Sequence, residues 1–238
     1  MGLKPGEAPE NPSLTNPEDL VAIHKAYFEA GCDIVNANTF GVNSLKYDDK
    51  TVEEMIAASF RCAKEARQAV GGEKYIALDI GPTGRLLKPL GDLDFEDAVT
   101  AFKKTVTEGV KNGADLIVIE TMNDSYETKA AVLAAKENSD LPIIATNVYD
   151  ENAKLMTGAD IEAMVAMLEG LGVDAVGMNC SLGPAQMKEL APEFIKAASI
   201  PVAVVPNAGL PVSENGKTVF NVGAEEFSDI MADIVKCG

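Results

Sequence analysis

Six apolar runs of strand length, each followed by a segment of helical period, dominate this 238-residue sequence. The runs are DIVNANTF at 33–40, YIALDI at 75–80, DLIVIET at 115–121, PIIATNV at 142–148, DAVGMNC at 174–180 and PVAVVPN at 201–207. Helical segments are expected at 17–30, 52–70, 95–112, 125–138, 159–170, 185–198 and 223–236. Asn16 before Pro17 places an acceptor at an N-cap, Thr51 with Glu54 has capping-box spacing, and Gly31, Gly113 and Gly172 stand where left-handed C-terminal residues end helices. Strand and helix alternation on this scale argues for βα units around a parallel sheet.

The order begins and ends on a helix, whereas a closed barrel needs eight strands and roughly 250 residues. The expected fold is therefore a (β/α)8 TIM barrel lacking its first and last strands, with residues 1–238 as a single domain incomplete at both ends. The competing architecture is an open doubly wound sheet, but no G-x-G-x-x-G turn follows the first run.

Charge and composition narrow the partners. A net charge of -17, from 37 acidic and 20 basic side chains, repels a phosphate backbone and argues against nucleic acid. Much of the acidity falls on helix faces such as Glu53, Glu54, Glu225 and Glu226, as a solvated surface would have it. No run of eighteen apolar residues suggests a membrane span, and the opening MGLKPGEAPENP lacks the apolar core of a secretory leader. Cysteines at 32, 62, 180 and 237 form no close pair, so neither a disulfide framework nor a zinc finger can be read from them, and a reducing cytoplasm is expected.

In α/β barrels the chemistry sits at the carboxyl ends of the strands. Those ends carry Asn36, Asn38 and Thr39; Asp79 and the loop Gly81-Pro82-Thr83-Gly84; Glu120 and Thr121; Thr146 and Asn147; Asn179 and Cys180; and Pro206 to Gly209. Amides and hydroxyls prevail, and no histidine or lysine stands among them, which suits binding a polar small molecule more than acid and base catalysis. Cys180 is the exception, either a nucleophile or a soft metal ligand. The single histidine, His24, lies mid-helix as a surface or packing residue, so metal ligation is the better reading, although one cysteine does not make a zinc site. Cys32, Cys62 and Cys237 read as packed residues, and GPTGR lacks the lysine of a phosphate loop.

The blocks NPEDLVAIHKAYFEAGCDIVNANTF, DIGPTGR, GADLIVIETMND with KAA close behind, VYDENAKLMTG, VGMNCSLGP and PNAGLP together resemble the homocysteine-binding module of cobalamin-dependent methionine synthases. The resemblance runs in order over essentially the whole chain. It implies a homocysteine S-methyltransferase with a zinc-bearing barrel, in which homocysteine bound as its thiolate attacks a methyl group. It also implies that Cys180 is one of three thiolate ligands. The other two belong to a Gly-Gly-Cys-Cys block absent from this sequence, and the Asp-Gly block of a first strand is absent as well, so the zinc site is incomplete here. Cys237 lacks the adjacent second cysteine and does not replace that block. Glu120 matches the acid that receives the substrate amino group, with Asn38, Thr39, Asn147, Asn179 and Asn207 as supporting groups lining the pocket. No side chain is assigned a catalytic role of its own. The methyl donor implied is methylcobalamin carried by another module or subunit. Self-association through open barrel edges is a further expectation. Two alternatives stay open: a metal-free scaffold that docks other modules, and an unrelated barrel enzyme with Cys180 as covalent nucleophile.

Overall fold

A computed structural model describes residue 3, residues 6–214 and residues 217–238 of the chain. In order, the elements are α1 (Pro12–Thr15), α2 (Pro17–Glu29), β1 (Ile34–Asn36), α3 (Asp49–Val70), β2 (Tyr75–Ile80), α4 (Phe95–Lys111), β3 (Leu116–Met122), α5 (Ser125–Asn138), β4 (Ile143–Asn147), α6 (Ile161–Gly170), β5 (Ala175–Asn179), α7 (Pro184–Ala197), β6 (Val202–Val205), β7 (Pro211–Glu214), β8 (Lys217–Phe220) and α8 (Ala224–Val235). Strands β1 to β6 form one six-stranded sheet in chain order, and the β1–β2, β2–β3, β4–β5 and β5–β6 pairs are parallel. They are the six runs read from the sequence. The antiparallel β7–β8 hairpin was not expected, because four-residue strands are too short to show a period.

The chain divides into two compact units, Met1–Ile119 with Ala130–Ile143, and Glu120–Lys129 with Ile144–Gly238. In the first, α3 and α4 lay apolar faces over β2 and β3, burying Val52, Ile56, Phe60, Phe102 and Val106 with Ile76, Leu78 and Ile117. Gly109 permits this approach, since a methyl group there would lie 2.5 Å from Leu78 Cδ2. The start of α3 differs from the expected capping box. Asp48 is the N-cap, its carboxylate accepting from the Thr51 amide at 2.9 Å and the Thr51 hydroxyl at 3.0 Å, so the helix begins three residues earlier. Glu54 faces Lys50 instead, one turn away. At α2, Asn16 is the N-cap by position with Pro17 first in the helix, but its side chain makes no capping bond. Gly31, Gly113 and Gly172 all take positive φ.

His24 lies on the buried side of α2, 7% exposed, with no hydrogen-bond partner for Nε2. Burial disfavours its charged form and lowers its pKa from the ordinary value of 6.5. The unfolded chain then takes up a proton at a higher pH than the folded one, so stability falls as pH drops through about 6.5 toward the depressed folded value. Urea midpoints measured between about pH 7.5 and 5.5 should decline in the parent and flatten in His24→Gln, because no other histidine titrates in that window. An unchanged slope in the variant would remove His24 as the cause.

The second unit packs α6 and α7 with β4 and β5 around Ile161, Met164, Leu168, Val176, Met178, Met187 and Phe194. Asp160 caps α6 by accepting from the Ala163 amide at 3.0 Å. An apolar cavity of about 280 Å3 lies among Ala191 and Ile195 of α7, Val202 and Val204 of β6, and Met231 and Ile234 of α8. Among the described residues, no helix is long and apolar enough to cross a membrane.

Candidate functional site

In the first unit, the polar residues after β1 are occupied in shaping the chain. The Asn38 amide donates to the Pro9 carbonyl at 2.8 Å and to the Ser13 hydroxyl at 3.2 Å, which holds the amino-terminal segment beside this loop. The Thr39 hydroxyl, fully buried, donates to the Asp79 carbonyl at 2.8 Å and accepts from the Asp79 amide at 3.1 Å. It thereby clasps the end of β2. A cavity of about 450 Å3 in this unit is lined by Leu14, Glu53, Arg61, Glu108 and Lys111, on helices and not at strand ends.

The second unit gathers Glu120, Thr121, Thr146 and Asn179 from the ends of three strands. The Asn179 Oδ1 accepts from the Thr121 amide at 2.8 Å and from the Thr146 hydroxyl at 2.9 Å. Its Nδ2 donates to the Thr121 hydroxyl at 2.7 Å and to Glu120 Oε2 at 3.3 Å. The side chain is 4% exposed, whereas Glu120 is half-buried and reachable. Asn147 ties the end of β4 to the end of β3 and to α5: its side-chain amide donates to the Met122 carbonyl at 3.2 Å and the Thr128 hydroxyl at 2.8 Å.

Cys180 follows directly on Asn179. Its φ of 60° and that of Ser181, 53°, lie in the left-handed region, as does Thr121 at 62°. Residues other than glycine adopt this region at a cost of about 1 kcal/mol or more, and such strain gathers where a loop must aim a group. Here the strand stops abruptly. The Leu182 amide donates back to the Cys180 carbonyl at 2.6 Å, and the Cys180 amide donates to Val205 of β6 at 3.1 Å. The Ser181 hydroxyl donates to the Tyr149 carbonyl at 2.8 Å, and the Tyr149 ring meets Phe194 edge-on at 5.4 Å. Burial raises the Tyr149 pKa well above its ordinary value, so the ring stays neutral and acts in packing. Next to this turn, the Asn207 amide donates to the Leu182 carbonyl at 3.0 Å. The Cys180 thiol and the Asn207 side chain, both half-buried, make no hydrogen bond to the described residues. One thiol and one open side-chain amide are thus available to a ligand, beside the half-buried Glu120 carboxylate.

The sequence model of the homocysteine S-methyltransferase family matches residues 4–238. The chain belongs to that family. It is similar to the methionine synthases of Mycobacterium leprae (strain TN) and Mycobacterium tuberculosis (strain ATCC 25618 / H37Rv), 31% identical in each case over 233 residues. That stretch is 93% of this chain but 19% and 20% of those proteins, so the chain spans about one fifth of their length. Among solved structures, the oxidised form of the homocysteine methyltransferase MmuM from Escherichia coli superposes with a TM-score of 0.83 at 19% identity, covering 100% of this chain and 83% of that one. Its metallated form gives 0.77 at 20% identity over 87% of this chain and 79% of that one. At such identities the likeness speaks for the fold.

The zinc expected from this family meets an incomplete donor set among the described residues. Cys180 fits as a single soft ligand, yet among the described residues no group of three His, Cys, Asp or Glu side chains is placed to hold a metal. Cys237, in the same unit, directs its thiol to the Asp233 carbonyl at 3.3 Å on its own helix. Cys62 is buried within α3 of the other unit. These residues alone do not make a zinc site, and a metal at Cys180 requires ligands from elsewhere.

Sequence reading passed over Thr121, Thr146 and Ser181 as members of the site. Thr121 and Thr146 were visible only as polar strand ends, and Ser181 gave no signal beyond following Cys180.

Proposed function

We propose that this chain binds homocysteine at the ends of β3, β4 and β5 and serves methyl transfer to its sulfur, giving methionine. The observation that carries the reading is a half-buried Glu120 carboxylate held beside Asn179, with a free thiol on the next residue, in a chain of this family. Glu120 would take the substrate ammonium through a charge-assisted hydrogen bond, and Asn207 would offer its open amide to the polar end. Zinc bound in part by Cys180 belongs to this reading: it supplies a thiolate near neutral pH without a dedicated base. The scarcity of acid and base groups at the strand ends supports it. Methylcobalamin on another module is the methyl donor in this reading, supported by the similarity to methionine synthases. The six parallel strands are read as the larger part of a (β/α)8 barrel, because the polar groups stand at their carboxyl ends.

Calorimetric titration with homocysteine, zinc supplied, tests the reading. Glu120→Gln should weaken binding by about tenfold to a hundredfold, the worth of one hydrogen bond to a charged group. Binding that is equal in the parent and Glu120→Gln would remove Glu120 from the site. No binding by the parent, with zinc or without it, would favour the docking scaffold.

A further inference from the structure

We infer that Asn179 is a positioning residue that aims the Glu120 carboxylate, and that it makes no contact with substrate itself. The inference rests on the reading of Glu120 as the ammonium-binding group.

The hydrogen-bonding capacity of an asparagine side chain is two donors and two acceptor lone pairs. All four are used inside the protein, on Thr121 N–H, Thr146 Oγ1, Thr121 Oγ1 and Glu120 Oε2. The orientation of the amide is chemically forced. A backbone N–H can only donate, so the atom facing Thr121 N is the oxygen; a carboxylate accepts, so the atom facing Glu120 is the nitrogen. No capacity remains for a ligand, and 4% exposure leaves no approach.

What the residue does is join β3, β4 and β5 at the level of Glu120, near the carboxyl end of β3. Its oxygen clamps the amide of Thr121, a residue with φ of 62°, and that left-handed turn directly follows Glu120. Its nitrogen donates to one oxygen of the Glu120 carboxylate and so fixes the rotation of that group. The same residue precedes Cys180, so the acid and the thiol are referenced to one rigid point.

Asn179→Asp keeps the shape of the side chain. The Thr121 hydroxyl can turn to donate to the new oxygen, but the Glu120 carboxylate cannot, so a carboxylate oxygen is set against Glu120. Two readouts separate positioning from mere stability. The first compares two thiol acids by calorimetry with zinc supplied: homocysteine, and 4-mercaptobutanoate, which is the same molecule without its amino group. Asn179→Asp should bind homocysteine about tenfold more weakly while holding 4-mercaptobutanoate within about twofold. The second needs no ligand. The double variant Glu120→Gln/Asn179→Asp exchanges donor and acceptor, and should recover at least half of the thermal stability lost in Asn179→Asp alone.

Equal weakening of both thiols, or no weakening of either, overturns the positioning role. So does a double variant no more stable than the sum of its single changes. If Glu120→Gln fails to discriminate the two thiols, the reading of Glu120 falls first and this inference with it. If Glu120→Gln discriminates and Asn179→Asp does not, the inference alone falls.

Discussion

Gly177→Ala is expected to lower the melting temperature by about 6–12 °C, corresponding to about 3 kcal/mol or more in a chain of this length. Gly177 stands at the centre of β5 and pairs with Ala203 of β6. A methyl group at that position would lie 1.8 Å from the Ala203 carbonyl oxygen, 2.7 Å from its carbon and 2.9 Å from its nitrogen. All three are backbone atoms, which cannot rotate away as a side chain could. The two strands must separate, and the bond from Cys180 N–H to Val205 lies two residues beyond the fault. Thermal unfolding followed by circular dichroism reads the loss, and amide exchange along β6 should accelerate with it. Gly170→Ala is the control, since its methyl group meets nothing within 4 Å and the residue ends α6. A Gly177→Ala protein melting within a degree of the parent would show that the sheet yields more readily than its pairing implies.

Phe194→Ala should cost about 3–5 kcal/mol, the usual range for deleting a fully buried phenyl ring. The more informative effect is local. Phe194 backs Tyr149, and the Tyr149 carbonyl receives the Ser181 hydroxyl beside Cys180. Loosening that stack should free the turn that holds the thiol. Alkylation at Cys180, resolved by peptide mass spectrometry, is expected to speed up several-fold below the melting transition. Phe60→Ala removes an equally buried ring from the first unit and should cost a similar amount without altering the Cys180 rate. Equal acceleration in the two variants would mean that Cys180 reports global opening only.

These dependencies mark where the sequence could be read and where it could not. The six parallel strands were legible because each is a continuous apolar run broken by turn residues, and the helices because their apolar positions recur at helical spacing. The helix start at Asp48 was misplaced because Thr51 and Glu54 satisfy the same spacing rule, and only the structure shows which carboxylate takes the Thr51 amide. Hairpin β7–β8 escaped because its strands are four residues long. At the site, Glu120, Asn147, Asn179 and Cys180 were legible as polar groups ending strands. Their division of labour was not. The bonds from Asn179 reach residues 33 to 59 positions away, and the inward use of Asn38 spans 25 to 29. Such partnerships are tertiary, and no local pattern encodes them.

The left-handed backbone at Cys180 sets a direction for drift. Glycine would occupy that φ of 60° without strain, relieving roughly 1 kcal/mol, while removing the one thiol at the end of β5. A lineage released from the need for that sulfur would gain robustness by discarding it. The identity of the residue at this position in any related chain is therefore a record of which pressure prevailed there, chemistry or endurance.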